Sequence, residues 1–274
     1  YEHTSGALKL FYNWGKHHIN DGYGTGEEPL NYRFNSKDRM TGVSWYQSTS
    51  LFTGNRLTVG LDYMRFGGEA WNRFITDRHK ENISDKSENE IAGYVDFRQT
   101  IGSHLIIDAG IRADHHTVSG TEWIPQVGLS VQLPHNASLK AMASKGFRNP
   151  TIRELYMFRP ANPDLLPERL WNYELSYSQR LFDQTFYYGV NLFYINGDNM
   201  IQTIRTDGRP LNVNTGKIEN WGAEASIAYH IHPTWNLTAN YSWLHMEHPL
   251  VAAPEHKLLS LIHISEPTRL GMIS

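Results

Sequence analysis

Strict alternation of apolar and polar residues, repeated about eleven times along the chain, is the feature that most constrains its fold. Residues 235–243 show the alternation most clearly, with the sequence WNLTANYSW. It recurs in 105–114, 126–133 and 221–229, and more weakly in 6–17, 39–50, 55–65, 89–100, 137–146, 170–181 and 185–195. A period of two places successive side chains on opposite faces of a strand. The sequence therefore predicts an all-β chain of about eleven strands.

The connections between these strands alternate in length. Short polar turns are expected near 52–55, 102–104, 134–136, 182–184 and 232–234, and longer segments at 18–38, 66–88, 115–122, 147–168, 196–215 and 246–256. Outer-membrane barrels have this arrangement, with short periplasmic turns and long outer loops. A soluble, carbohydrate-binding β-sandwich has no reason to lengthen every second connection. We therefore predict an antiparallel transmembrane β-barrel, in which strands starting at Asn55, His104, Asn136, Gln184 and Thr234 run outward.

The composition excludes several classes of protein. The chain has no cysteine, so it has no disulfide, thiol nucleophile or cysteine-based metal site. Its net charge of −3 gives no reason to expect nucleic acid as a partner. No apolar run reaches the ~18 residues of a membrane-spanning helix. The mean hydropathy of −0.50 is compatible with a barrel, because only alternate residues of its strands face lipid.

The two faces of the predicted strands differ in character. Tryptophans near strand ends are expected to form the aromatic girdles at the membrane interfaces: Trp14, Trp45, Trp123, Trp171, Trp221, Trp235 and Trp243. Charged residues are expected to point inward: Lys9, Asp62, Asp96, Arg98, Asp108, Arg112, Asp114, Glu174 and Glu224. A small barrel fills its interior with packed side chains, so inward charges favour a wide lumen.

Three stretches resemble the TonB-dependent outer-membrane receptors. They are SKGFRNPTIRELY at 144–156, NPDLLPERLWNYELSY at 162–177 and NTGKIENWGAEASIAY at 214–229. The resemblance covers residues 1–258 and is most specific in the middle of the chain. It implies a barrel of about 22 strands, of which this chain would hold about eleven. It also implies an N-terminal plug, which this chain lacks, as well as further strands at both ends. An incomplete barrel has open edges, so the chain alone is not expected to transport anything.

Residues 259–274 are expected to be a non-native tail rather than barrel. The stretch LSLIHISEPTR at 259–269 resembles a translated transposon-end adapter used in sequencing libraries. A genuine disordered tail is the alternative.

The resemblance implies uptake of a scarce bulky nutrient across the outer membrane of a Gram-negative bacterium. The nutrient would be a siderophore–iron complex, haem, cobalamin or a glycan. The implied partners are the lipid bilayer, the nutrient or metal chelate, and the TonB-ExbB-ExbD complex, reached through the plug. A passive porin or an adhesin-like barrel is the alternative.

Aromatic and arginine side chains in the outer loops are the candidates for ligand contact, because they suit a bulky and often anionic chelate. The candidate ligand-binding residues are Tyr23, Tyr32, Trp71, Arg148, Arg153, Tyr156 and Arg159. Loop packing is an equal alternative for each of them, and a structural role is favoured for Arg148 and Arg153. The paired histidines near strand ends are expected to be solvated, so no metal site is predicted. No catalytic constellation stands out, and neither an enzyme nor a cofactor is predicted.

Overall fold

The computed structural model describes residues 4–157, 160–232, 234–248 and 253–264, and its strands form a single antiparallel sheet. Every strand pairs with its neighbour in the chain, from β1 at one edge to β12 at the other. The strands are β1 (Thr4–Ile19), β2 (Tyr32–Thr49), β3 (Asn55–Phe74), β4 (Lys80–Ile101), β5 (Leu105–His116), β6 (Gly120–Leu133), β7 (Ala137–Arg148), β8 (Glu168–Leu181), β9 (Phe186–Thr206), β10 (Arg209–His232), β11 (Trp235–Met246) and β12 (His256–Ile264). The all-β prediction is confirmed, and each of the eleven predicted strands is present.

One face of the sheet is apolar from edge to edge. The register places Leu8 opposite Trp45, and Trp45 opposite Leu61. At the other edge Tyr241 lies opposite Leu258. All seven predicted girdle tryptophans lie on this face, which we call the apolar face. Among the described residues no helix is long and apolar enough to cross a membrane.

The opposite face, called the polar face, carries the predicted inward charges. Arg112 lies between two carboxylates there, with Nη1 2.5 Å from Asp62 Oδ2 and Nη2 2.9 Å from Asp114 Oδ2. Arg98 Nε lies 2.5 Å from Asp108 Oδ1. The register places all nine predicted inward residues on this face, so their assignment is confirmed. Five of these charges are stabilised by ion pairs with one another: Asp62, Arg98, Asp108, Arg112 and Asp114.

The short turns all lie at one end of the sheet, at the predicted positions, and we call this the short-turn end. The opposite end, which we call the long-loop end, differs from the prediction. Three of the predicted long loops, 66–88, 115–122 and 196–215, are mostly strand, because β3 pairs with β4, β5 with β6 and β9 with β10 beyond the alternating core. The connections 117–119 and 207–208 are as short as the turns at the other end, so the prediction that every second connection is long was wrong there. The β9–β10 hairpin closes through Asp207 and Gly208, whose φ angles are 51° and 77°. Such a two-residue turn matches the twist of paired strands, so pairing continues to the tip.

Strand formation also continues past Leu258. Residues 256–264 form β12, which pairs along β11 from Trp243 to Trp235. Strand structure therefore extends past the predicted boundary at 258, as far as residue 264. Residues 265–274 lie outside the described residues, so the division into a barrel part and a non-native tail at 258 remains a prediction.

Candidate ligand-binding site beneath the 149–167 loop

The longest connection of the sheet, 149–167, begins with a capped turn. The hydroxyl of Thr151 accepts a hydrogen bond from the Glu154 backbone N–H at 3.2 Å, and the Thr151 N–H donates to Glu154 Oε2 at 2.8 Å. This reciprocal pair is a capping box, which satisfies N–H groups that a helix start leaves free. The turn continues as one π-helical turn, Arg153–Met157. The sequence TIRE therefore builds a local structure in an otherwise irregular loop.

Arg148 holds both ends of this loop together. Its Nη1 donates to Glu154 Oε2 at 2.8 Å, and its Nε donates to Glu168 Oε2 at 2.6 Å. Burial alone would raise the pKa of Glu154, but the hydrogen bonds from Arg148 and Thr151 outweigh it and lower this pKa below its ordinary value. The pKa of Glu168 is also lowered, because hydrogen bonds from Arg148 and the Ile201 N–H outweigh burial. Both carboxylates are therefore held ionised around one guanidinium.

Two asparagines of β10 fix the rest of the loop. Asn212 donates to the Glu154 carbonyl at 3.0 Å and its own carbonyl accepts from Asn162 at 2.8 Å. Asn214 accepts from the Leu166 N–H at 2.8 Å and donates to the Leu166 carbonyl at 2.9 Å. The side chains of Leu155 and Leu165 are buried beneath the loop, with 0% and 2% exposure. The loop is therefore a packed and hydrogen-bonded element rather than a free strap.

A cavity of 1370 Å³ opens on the polar face beside this loop, at the long-loop end. Its lining from the strands includes Asn13, His17, Ile19, Tyr32, Phe34, Ser36, Asp38, Met40, Phe66, Ala70, Asn72, Ile83, Ser84 and Glu90. The loop side contributes Phe147, Asn149, Pro150, Thr151, Ile152, Arg153 and Met157. The lining is thus about half apolar or aromatic and half polar, and its charged members include Asp38, Glu90 and Arg153. Concave sites that combine apolar walls with polar groups are typical of sites for organic ligands.

Two buried polar side chains, His116 and Glu88, lie close together on the polar face near the loop. His116 and Glu88 are 1% and 3% exposed, with His116 Nε2 2.9 Å from Glu88 Oε2. His116 Nδ1 accepts from the N–H groups of Val118 and Ser119 at 3.3 and 3.2 Å. The expectation that the paired histidines are solvated was therefore wrong for His116. Its ring is buried because the tight 117–119 turn folds over it and Phe66 packs against it.

The predicted ligand-binding residues do not all come together. Tyr32 and Arg153 line the cavity. Arg148 stands beside it and is engaged by Glu154 and Glu168. Tyr156 is not part of the cavity lining. Lys86 Nζ lies 4.9 Å from the centre of the Tyr156 ring, and burial raises the pKa of the Tyr156 hydroxyl.

The remaining predicted residues lie elsewhere. Tyr23 is 62% exposed in the 20–31 connection, outside the cavity. Trp71 lies on the apolar face, where Lys37 and Lys80 place Nζ 5.4 and 4.5 Å from its ring centre. Arg159 lies outside the described residues. The set of binding residues therefore stays a prediction, and its best-placed members are Tyr32 and Arg153.

Several cavity residues were not predicted from the sequence. Phe34, Met40, Phe66 and Ile83 line the cavity, together with Met157. The signal that could have found the strand residues is the parity of the alternation. Met40 lies within the predicted strand 39–50, so parity alone would have placed it on the polar face. The other three could not be assigned, because the strands were predicted as 39–50, 55–65 and 89–100, whereas β2 begins at 32, β3 ends at 74 and β4 begins at 80. Within the described ranges no group of three or more His, Asp or Glu side chains is arranged to hold a metal ion.

A protein-family comparison matches residues 1–259 to the family described as "TonB dependent receptor-like, beta-barrel". The chain belongs to this family. The family is one of transport receptors, and its members lie in the outer membrane of Gram-negative bacteria. The resemblance seen in 144–177 and 214–229 is thereby confirmed.

Individual relatives are more distant. The iron-regulated outer membrane virulence protein of Vibrio cholerae serotype O1 is 24% identical over 72% of this chain and 35% of its own length. The vitamin B12 transporter BtuB of Photobacterium profundum is 28% identical over 52% of this chain and 22% of its own length. The chain thus spans about a third or less of the length of these relatives.

Solved structures show the same fold. The ferric enterobactin receptor PfeA of Pseudomonas aeruginosa matches with a TM-score of 0.79 and 16% identity, over 98% of this chain and 46% of that one. The siderophore receptor PirA of Acinetobacter baumannii matches with a TM-score of 0.78 and 15% identity, over 95% and 46%. The twelve strands thus have the arrangement of about half of a receptor chain of this kind.

Proposed function

We propose that this chain is part of the barrel of an outer-membrane receptor that imports a scarce bulky nutrient by TonB-dependent transport. The remaining strands would complete a barrel of about 22, closed by a plug that contacts the TonB-ExbB-ExbD complex. The nutrient would be captured at the long-loop end and released toward the short-turn end when the plug is pulled aside. Siderophore–iron complexes, haem, cobalamin and glycans are the classes to test.

The observation that carries this proposal is the cavity of 1370 Å³ on the polar face. It lies at the long-loop end and is bounded by the rigidly anchored 149–167 loop. Its volume exceeds the roughly 300–1,000 Å³ of most ligand pockets, which suits a bulky ligand. Aromatic and aliphatic walls formed by Tyr32, Phe34, Phe66 and Ile152 would bury such a ligand, while Arg153 offers a charged contact.

Energised uptake and passive permeation make different predictions for the same experiment. The full-length receptor would be expressed in a strain lacking its own outer-membrane receptors, with and without a functional TonB. Growth would be measured with a single iron source, either one ferric siderophore at a time or haem. A separate measurement would use limiting cobalamin in a cobalamin-dependent strain. TonB-dependent growth on one of these nutrients supports the proposal. Growth that persists without TonB would instead indicate a passive pore.

The cavity can be tested separately from transport. Replacing Phe34 and Phe66 by alanine removes two aromatic walls, and we expect the affinity for the identified nutrient to fall at least tenfold. The matched control is Tyr173→Ala with Tyr177→Ala, because these two aromatic residues lie on the apolar face. Unchanged affinity in the cavity variant, with both variants folded, would place the binding site elsewhere.

A further inference from the structure

Glu90 on β4 presents a carboxylate to the cavity, beside the start of the 149–167 loop. Its side chain has one hydrogen bond to the described residues, which Asn149 Nδ2 donates to Oε2 at 3.3 Å. The ion pairs among the described residues do not include Glu90. The cavity therefore contains a carboxylate that no described cation neutralises directly.

Two further carboxylates are buried next to Glu90 on the polar face. Glu88 lies two residues earlier on β4 and is 3% exposed, and Asp114 is the diagonal neighbour of Glu90 on β5 and is 2% exposed. Among the described residues, the cation in contact with this group is Arg112, which Asp114 shares with Asp62. Oε1 of Glu88 and Oδ1 of Asp114 have no hydrogen-bond partner within the described part of the chain. Four carboxylates therefore share one guanidinium.

His116 does not supply the missing charge. Its Nδ1 accepts hydrogen bonds from the N–H groups of Val118 and Ser119, so this nitrogen carries no proton. The ring proton is therefore on Nε2, which lies 2.9 Å from Glu88 Oε2. A ring with one proton is neutral, so the group keeps an excess of negative charge.

Two cations of the cavity lining, Lys37 and Arg39, are engaged by Glu69. Lys37 Nζ lies 3.1 Å from Glu69 Oε1, and Arg39 is attracted to the same carboxylate. The register places all three residues on the apolar face, whereas Glu90 is on the polar face. Arg153 lines the cavity from the loop and not from the sheet. The described part of the sheet therefore offers Glu90 no cation of its own.

A carboxylate in this environment favours a cation that the ligand brings. Neighbouring like charges in partly buried surroundings produce a negative potential, which a bound cation relieves. A free metal ion is not suited, because no group of three or more His, Asp or Glu side chains in the described ranges is arranged to hold one. An alkylammonium group is suited, because it carries several hydrogen-bond donors and also binds over aromatic rings.

The wall beside Glu90 supplies further contacts for such a group. Phe66 lines the cavity and lies opposite Glu88 in the register, so an aromatic ring is next to the buried acids. Asn72 Oδ1 and Ser84 Oγ also belong to lining residues, and both atoms are buried without a hydrogen-bond partner among the described residues. This wall therefore combines acceptors that need a donor with an aromatic surface.

We infer that Glu90 binds a cationic amine group of the imported nutrient, so that the cavity selects an amine-bearing ligand over an anionic one. This inference rests on the proposed function, because it concerns the same cavity. The residues that carry it lie on β3, β4 and β5 and at the start of the loop, and not on the edge strands of the sheet. It differs from the expectation of an anionic chelate, because Arg148 is already engaged by Glu154 and Glu168.

Ferrioxamine B and its N-acetyl derivative form a matched pair of probes, because these ferric hydroxamate complexes differ only at one ammonium group. Ferric enterobactin is the anionic probe. Growth on each of them would be measured with and without TonB, and the affinity of the purified full-length receptor would be measured by calorimetry. We expect TonB-dependent growth on ferrioxamine B, and binding of the N-acetyl derivative that is at least about tenfold weaker.

The variant Glu90→Gln keeps the shape of the side chain and removes its charge. We expect it to bind ferrioxamine B about 10- to 100-fold more weakly, which is the range for the loss of one charged hydrogen bond. Its affinity for the N-acetyl derivative should equal that of the wild type. The control is Asp96→Asn, which removes another carboxylate of β4 from the polar face outside the cavity lining and should leave both affinities unchanged.

Two results would overturn the inference and leave the proposed function intact. The first is TonB-dependent growth confined to nutrients without a cationic amine, namely ferric enterobactin, the N-acetyl derivative, haem or cobalamin. The second is equal affinity of the wild type and Glu90→Gln for ferrioxamine B, or an equal loss in Asp96→Asn. If no nutrient supports TonB-dependent growth, the proposed function itself is contradicted and this inference fails with it.

Discussion

Arg148 and Glu154 form a two-point ion pair, with Nη1 2.8 Å from Oε2 and Nη2 3.0 Å from Oε1. The two residues lie on either side of the capped turn, so this pair fixes the start of the 149–167 loop. Glu168 accepts from Nε of the same arginine at 2.6 Å and connects the loop's end to its beginning. The position of the cavity wall therefore depends in part on this guanidinium.

Replacing Arg148 by glutamine should loosen the loop without unfolding the sheet. Hydrogen bonds to charged groups contribute about 1.5–3 kcal/mol each, and the partial exposure of Arg148 reduces this, so we expect a local loss of about 1–2 kcal/mol. Hydrogen exchange of the amides in 151–157 and 160–166 should accelerate about 5- to 30-fold. The control is Arg180→Gln at the short-turn end of β8. Equal protection in both variants would show that the ion pair does not hold the loop.

The same loop should respond to acid. The folded-state pKa values of Glu154 and Glu168 lie below the ordinary value of 4.5, so their stabilising effect is complete above that pH. It should be lost as the pH falls through the lowered folded-state pKa values, where the two carboxylates take up protons. Exchange in 151–157, measured between pH 3 and pH 6 and corrected for intrinsic rates, should show this loss. The variant Glu154→Gln should have weaker pH dependence, and a profile identical to wild type would contradict the account.

Asn212 is expected to anchor the loop from β10. It is 2% exposed, and its side chain donates to the Glu154 carbonyl and accepts from the Thr203 hydroxyl at 2.8 Å. Asn212→Ala removes both bonds and leaves the partly buried Glu154 carbonyl without this donor, at a cost of about 1–3 kcal/mol. Hydrogen exchange in 153–157 should accelerate, whereas the exposed control Asn240→Ala should leave it unchanged. If both variants behave alike, Asn212 is not an anchor.

Gly208 is expected to tolerate no side chain without strain. Its φ of 77° is unfavourable for other residues, although a Cβ there would meet no atom within 4 Å. Gly208→Ala should therefore destabilise the tip of the β9–β10 hairpin by about 1 kcal/mol through the backbone alone. The matched control is Gly128→Ala, where a Cβ makes only ordinary contacts, 3.6 Å or longer. Faster exchange at residues 203–206 and 211–213 in Gly208→Ala, and not in the control, is the expected result.

The central strands could be predicted because alternation there reports a physical division between lipid and a polar interior. The same rule placed Asp62, Arg112 and Asp114 on one face before their ion pairs were known. It failed in the outer hairpins, where both faces contact water and the alternation disappears although the backbone pairing continues. The dipeptide Asp207–Gly208 carried the missing signal, since it is a strong indicator of a two-residue hairpin turn.

The candidate site was predictable only in part. The motif SKGFRNPTIRELY located the loop but did not show that Arg148 is engaged by Glu154 and Glu168. That arrangement requires Glu168, which is 20 residues away in the chain. The burial of His116 likewise depends on contacts with Glu88 and Phe66 on two other strands. Trp71 was assigned to a loop, but it lies in β3 and on the apolar face. An aromatic residue in a segment predicted as a loop was therefore not a guide to the cavity.

Cysteine labelling in intact cells tests most directly whether the two ends of the sheet lie on opposite sides of the outer membrane. The chain has no native cysteine, so single substitutions in the full-length receptor, with any cysteines elsewhere removed, give a clear signal. Thr25→Cys and Thr206→Cys lie at the long-loop end, while Thr53→Cys and Ser103→Cys lie at the short-turn end. We predict that a membrane-impermeant maleimide labels the first pair in intact cells and the second pair only after permeabilisation. Labelling of positions 53 or 103 in intact cells, with 25 and 206 protected, would contradict the account.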